Sequence, residues 1–227
     1  ALAHEQPVDD QRLGHNVAHR HPRVEGGVRV QEHHLEVAAD APHLLAGLAG
    51  IGRQGSLEEL LRQPHPFHSV VYANDAVIAC LGAHSGRDGG IVIAGTGSVA
   101  LAMVDGRELR LGGYGFPISD EGSGAEMGLQ AIRAALRAHD RRARPTALTR
   151  ELMRRFNNDA YAVVAWSERA TATEFASFAP RVLQYAEEGD TTARRIATDA
   201  ARQIGLLVRR LTDFGTPRVS LLGGLAV

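Results

Sequence analysis

The stretch GIVIAGTGSVALAMV, from Gly90 to Val104, constrains the fold more than any other part of the chain. Two runs of Ile, Val, Ala and Leu flank four small residues, Gly95, Thr96, Gly97 and Ser98. Each run is too short for a stable helix, and each is rich in residues that fill a pleated, buried surface. Two such runs joined by a Gly-containing break read as a β-hairpin. Two roles stay open for the break. The glycines can simply supply positive φ for a turn. Alternatively, closely spaced backbone N–H groups and hydroxyls can cradle a phosphate.

Composition narrows the classes of function. The chain has 227 residues, is 44% hydrophobic and carries a formal net charge of −1. Such a chain is long enough to bury a real core, and its charge argues against a nucleic-acid or anionic-membrane surface. No apolar run approaches the ~20 residues of a membrane span, and no signal peptide opens the sequence. A single cysteine, Cys80, excludes an internal disulfide framework and fits a cytoplasmic location. All 25 basic residues are arginine. Without lysine, a Walker-type phosphate loop is excluded.

The chain changes character near residue 43. Residues 1–43 hold seven of the eleven histidines and show no sustained period of 2 or 3.6. No spacing among them resembles a zinc pattern, so no metal site is expected, and the segment reads as a disordered or foreign leader. From Leu44 the pattern predicts a Gly-rich turn, then a short helix capped by Ser56. A strand follows in HSVVYAND, then a short helix in AVIACLGAH. After the hairpin come a turn at Asp105–Arg107 and a strand in ELRLGGYGF. Helices are predicted through AEMGLQAIRAALRAH, TALTRELMRRF, ATEFASFAPRVLQYAEE with a kink at Pro180, and TTARRIATDAARQIGLLVRRLTDF. A last strand, RVSLLGG, ends on a double glycine. Strands interleaved with helices define an α/β class.

Four stretches in order, VVYANDAVIACLGA, GGIVIAGTGSVAL, GGYGFPISDEGSGAEMG and VSLLGG, resemble successive motifs of the sugar kinase/Hsp70/actin superfamily. More narrowly they resemble N-acetylglucosamine kinases and bacterial glucosamine kinases of the BadF/BadG/BcrA/BcrD ATPase family, over about residues 44–227. The resemblance implies a ribonuclease H-like, two-domain fold truncated at both ends. Residues 44–88 would be a remnant of the N-terminal domain, and residues 89–227 an incomplete C-terminal one.

The resemblance also implies roles. Asp75 becomes the general base for the sugar's 6-hydroxyl and a sugar contact; on local sequence alone it reads first as a helix cap. Gly95, Thr96 and Gly97 become the second phosphate loop, with Thr96 touching ATP, which brings Mg2+ with it. Ser98, Val99, Gly113, Tyr114, Gly115, Phe116, Pro117 and Asp120 become sugar contacts. Tyr114 stands where the family normally has Trp, and an aromatic face of either kind packs on a sugar ring. Ser119 replaces a usual glycine. Ser123 reads as either a site residue or a helix cap. Gly223 and Gly224 become the adenosine motif, or else a strand-end turn.

An amino-sugar kinase, acting on N-acetylglucosamine or glucosamine, is the function this implies; a homodimer is among the assemblies it allows. Two other readings compete with it. One is a sugar-binding remnant without catalysis, because residues 1–43 hold nothing like the family's first phosphate loop. The other is an activator ATPase with a shared iron–sulfur cluster, which Cys80 without a partner cysteine disfavours. On these grounds the chain by itself is expected to show no kinase activity, measured as ADP release dependent on ATP and amino sugar.

Overall fold

The computed structural model describes residues 43–48 and 69–226, together with Glu58 and Arg62. The predicted Ser56-capped helix and the histidine-rich segment before residue 43 lie outside the described residues. Two parallel strands come first, β1 (His43–Leu48) and β2 (Ser69–Asn74), paired from His43↔Ser69 to Leu48↔Asn74. The expectation of a turn from Leu44 is therefore corrected. The apolar run HLLAGL pairs with β2, a long-range partner that local pattern does not reveal.

Helix α1 (Asp75–His84) leads into a four-stranded mixed sheet of β3 (Gly89–Ala94), β4 (Ser98–Val104), β5 (Arg107–Gly112) and β6 (Val219–Leu222). The spatial order is β5-β4-β3-β6. The predicted hairpin is present: β3 and β4 pair antiparallel from Gly89↔Met103 to Ala94↔Ser98. β6 pairs parallel to β3, which makes the sheet mixed. β5 ends at Gly112, short of the predicted GYGF, because Gly112 and Gly113 both adopt positive φ and turn the chain out of the ladder.

Period-2 alternation divides the sheet between two helical layers. Ile91 and Leu101 face α1 and pack with Ala76 and Cys80. Val92, Ala100, Ala102 and Val104 face the opposite way, onto Leu211 of a long helix, α7 (Thr191–Asp213). Each fully buried Val, Ile or Leu here contributes about 1.5–3 kcal/mol through removal of apolar surface from water.

A second core joins α7 to the other helices: α2 (Gly124–His139), α3 (Ala147–Arg155), α4 (Ala160–Ser167), α5 (Ala172–Ala176) and α6 (Ala179–Glu187). Helix α4 has no amphipathic stripe in its sequence AYAVVAWS. Its Asp159 cap, which accepts from the Tyr161 N–H at 2.8 Å, and the burial of Val163 secure it. The predicted kinked helix over ATEFASFAPRVLQYAEE is two helices, broken at Ser177–Phe178. Pro180 sits in the first turn of α6, where its missing N–H leaves no hydrogen bond unmade.

α3 and α6 are clipped together by Glu151. Arg181 Nε donates to its Oε1 at 2.8 Å, and the Tyr185 hydroxyl donates to its Oε2 at 2.6 Å. The Arg181 hydrogen bond is the main reason the Glu151 carboxyl is held down to about 2. A depressed carboxyl stabilises the fold above its ordinary value of 4.5, and that contribution is lost as pH falls towards about 2. The urea midpoint is expected to fall across that window, and less steeply in Glu151→Gln.

α2 and α5 meet at Gly128, where an added Cβ would lie 1.9 Å from the Phe175 carbonyl oxygen. Gly128→Ala is expected to cost about 3 kcal/mol, as overpacking against backbone does. Gly82→Ala on α1, which meets nothing within 4 Å, should be neutral or stabilising by up to ~1 kcal/mol. Urea denaturation of the two variants checks the contrast.

Candidate functional site

The residues singled out in the sequence converge on one end of the mixed sheet. His84, at the end of α1, holds the Gly90 carbonyl at the start of β3 through Nε2 at 2.9 Å. α1 therefore runs back along β3, and Asp75 at its start lies towards the GTGS turn. β6 runs parallel to β3, so Gly223 and Gly224 emerge at the same end, where the Leu225 N–H donates to the Ala94 carbonyl at 3.1 Å. This is the carboxyl end of β3 and β6, where α/β sheets commonly bind ligands.

Asp75 is exposed and is not the cap of α1. Asn74 takes that place, its side chain accepting from the Ala76 N–H at 2.8 Å. Asp75 Oδ1 also approaches that N–H at 2.8 Å, and its other oxygen makes no hydrogen bond among the described residues. A carboxylate at the first position of a helix, exposed at a sheet end, thus keeps one oxygen open to accept a further hydrogen bond.

The GTGS turn is built from both sides. The Gly95 N–H donates to the Gly97 carbonyl at 2.9 Å, closing a tight loop. The carbonyls of Gly95 and Thr96 accept from the first amides of α2, Gly124 at 2.8 Å and Ala125 at 3.1 Å. With its carbonyls committed inward, the turn keeps the N–H groups of Thr96 and Gly97 without a partner among the described residues. Two adjacent free amides and the exposed Thr96 side chain suit an anionic oxygen.

Asp120 is 8% exposed and adopts φ +72. Its carboxylate packs on the turn so closely that a Cβ on Gly97 would lie 2.8 Å from Oδ2. It makes no side-chain hydrogen bond among the described residues, so both oxygens keep acceptor capacity. Ser98 braces this loop, its buried hydroxyl donating to the Glu121 carbonyl at 2.8 Å. Ser123 caps α2, accepting from the Glu126 N–H at 3.2 Å.

The remaining candidates divide. Val99 packs over Gly113, where a Cβ would lie 2.9 Å from Val99 Cγ2. Tyr114 is 85% exposed and lines a depression of about 510 Å³ with Ser98, Ser119, Glu121 and the α7 residues Gln203 and Leu206. Gly115 and Pro117 lie in the same loop. Phe116 turns away, its ring 5.1 Å from Phe175 in the aromatic cluster of the helical core. Ring placement of that kind has no local signature in the sequence. The role of α2 in holding the turn was equally hidden, since both its donors are backbone groups.

A mixed sheet of this topology, flanked by helices on both faces, is the architecture of the actin-like ATPase fold class. Residues 24–226 match the BadF/BadG/BcrA/BcrD ATPase family, and the chain belongs to it. The match reaches back to residue 24, upstream of the Leu44 at which the motif resemblance begins.

The chain is 38% identical to the glucosamine kinase GspK of Vibrio cholerae over 184 residues, 81% of this chain and 63% of that protein. It is 33% identical to an N-acetylmuramic acid/N-acetylglucosamine kinase of Clostridium acetobutylicum, over 74% of this chain and 57% of that one. A solved structure of a candidate N-acetylglucosamine kinase from Chromobacterium violaceum superposes with a TM-score of 0.75 at 35% identity, covering 84% of this chain and 67% of that one. The chain thus spans about 63% and 57% of the length of these two curated relatives.

Gly97→Ala would push the Asp120 carboxylate off the turn. It is expected to cost no more than about 1–3 kcal/mol of stability, because the atom met is the end of a side chain that can move, read by urea denaturation.

Proposed function

We propose that this chain carries the sugar site and the second phosphate loop of an ATP-dependent kinase that phosphorylates the 6-hydroxyl of an amino sugar, N-acetylglucosamine or glucosamine. The observation that carries the reading is the Asp120 carboxylate, buried, without a partner among the described residues, and seated directly on a turn whose two free amides face outward. One face of that element suits a sugar hydroxyl donor, and the other suits a phosphate. The names of the related kinases support the same reaction class.

In this reading Asp75 accepts the proton of the attacking hydroxyl. Asp120 fixes the sugar through its ring hydroxyls, Tyr114 offers an aromatic face, and Ser98 holds the loop that carries both. Thr96 and Gly97 donate to phosphate oxygens, where charge develops during transfer. Gly223 and Gly224 let the backbone approach the adenosine. Mg2+ enters with ATP and supplies charge neutralisation between the phosphates; among the described residues no three His, Cys, Asp or Glu side chains cluster to hold a metal. Because the chain has no lysine, backbone amides and arginine must supply the protein's share of that neutralisation. The reaction belongs to the cytoplasm, where ATP is at hand, and no described helix is long and apolar enough to cross a membrane.

The test is ADP release by the full-length protein with glucosamine, N-acetylglucosamine and N-acetylmuramic acid. Asp75→Asn keeps the shape and removes the base, so turnover is expected to fall roughly 10²–10⁴-fold with sugar affinity nearly unchanged. Asp120→Ala should give the opposite pattern, weakening sugar binding by about 1.5–3 kcal/mol while nucleotide affinity barely moves. Near-parental turnover in Asp75→Asn would leave that residue no catalytic role.

A further inference from the structure

A second concave site lies at the far end of α2. Arg137 is thirteen residues beyond Gly124 in that helix, which puts it ~20 Å from the GTGS turn at 1.5 Å per residue. There Arg137, Arg144 and Arg195 line a depression of about 300 Å³ with Thr149 and Thr192. These residues come from four places in the chain: the last turn of α2, the loop after it, and the first turns of α3 and α7.

The charges around this depression do not balance. Arg137 and Arg144 form no ion pair with any described residue, and Arg195 has only an exposed contact to Asp199 at 3.5 Å. Asp140 is taken by Arg142. The other carboxylate at hand, Asp190, is spoken for by backbone: it accepts from the N–H groups of Leu148, Thr192 and Ala193 at 2.9, 2.9 and 3.0 Å. Asp190 thereby ties the N-termini of α3 and α7 to one point. Burial pushes its carboxyl up, yet those amide donors bring it below the ordinary value, as two converging helix N-termini would. In a chain of net charge −1, three guanidinium groups held around one hollow repel each other unless an anion joins them.

We propose that this depression is a binding site for a small phosphomonoester, inorganic phosphate or a phosphate ester of monosaccharide size, separate from the GTGS site. Arginine forks pair two-pronged with phosphate oxygens, and the Thr192 hydroxyl adds a neutral donor, while that of Thr149 is spent on the Thr146 carbonyl at 3.1 Å. A volume of about 300 Å³ is at the small end of ligand sites and is too confined for a polymer to be read along its length. The inference stands without the kinase reading, because it needs only an anion and these side chains.

Calorimetry on the full-length protein tests it, with inorganic phosphate and N-acetylglucosamine 6-phosphate as probes, each at low and at physiological salt. An Asp120→Ala background keeps the sugar ester from reporting on the other site. Saturable binding is expected, weakened at least about tenfold by the double variant Arg137→Gln/Arg144→Gln, since each lost charge-assisted bond is worth that factor. The ester binding more tightly than phosphate would assign the site to a sugar phosphate; equal affinities would assign it to phosphate itself. Both replaced arginines are at least partly exposed, and circular dichroism of the variant confirms its fold. Absent binding, or binding indifferent to the arginine variant, would overturn the proposal. So would a short duplex oligonucleotide or anionic vesicles binding through the same arginines more tightly than either probe.

Discussion

Two backbone hydrogen bonds join the sheet to the helical half of the chain: Gly124 N–H to the Gly95 carbonyl and Ala125 N–H to the Thr96 carbonyl. Much else depends on them. They spend the first amides of α2, which would otherwise face solvent unpaired, on the carbonyls of the turn. They turn the opposite side of that loop, with its Thr96 and Gly97 N–H groups, outward. They also bring the start of α2 close enough that Asp120, four residues before it, closes over Gly97. The turn is consequently held rigid by packing on its inner side, and its outer side is left to bind.

The arrangement answers a chemical constraint carried by the whole chain. With arginine as the only fixed cation and no lysine at all, a point charge on a flexible stem is absent. In the proposed kinase reading, backbone amides take over where an oxygen must be met at close range, because they need no side chain and are oriented by the fold. The arginines gather elsewhere, and at the far end of α2 they surround a hollow. The same helix thus has an amide-bonded loop at one end and a guanidinium cluster at the other.

The sheet's two faces explain why the candidate residues divide as they do. Ser98 shares the α7 side of β4 with Ala100 and Ala102, so Tyr114, next to it in space, opens towards α7. Asp75 begins the helix on the other face. The carboxyl end of β3 is the one place that both sides reach, and the GTGS turn stands there. Phe116 belongs to neither side, because its ring completes the aromatic cluster with Phe175, Trp166 and Phe178.

Much of this was legible in the residues alone. The hairpin around GTGS, the helices at α1, α2, α3 and α7, the final strand and the α/β class follow from local periodicity, glycine breaks and capping residues, which act within a few positions of chain. The exceptions share one cause. β1 exists through a partner 26 residues away, as the His43↔Ser69 register shows. Helix α4 is held by burial of Val163, and the break before α6 by packing of Phe178. Those interactions act across space, so neither run of sequence announces them. The motifs likewise singled out candidate residues, while the open state of Asp120, the capping of α1 by Asn74 rather than Asp75, and the packing of the half-buried Phe116 ring on Phe175 were decided by tertiary structure. Side-chain type fixes what a group can do; only the packed neighbours decide whether its hydrogen bonds are already spent.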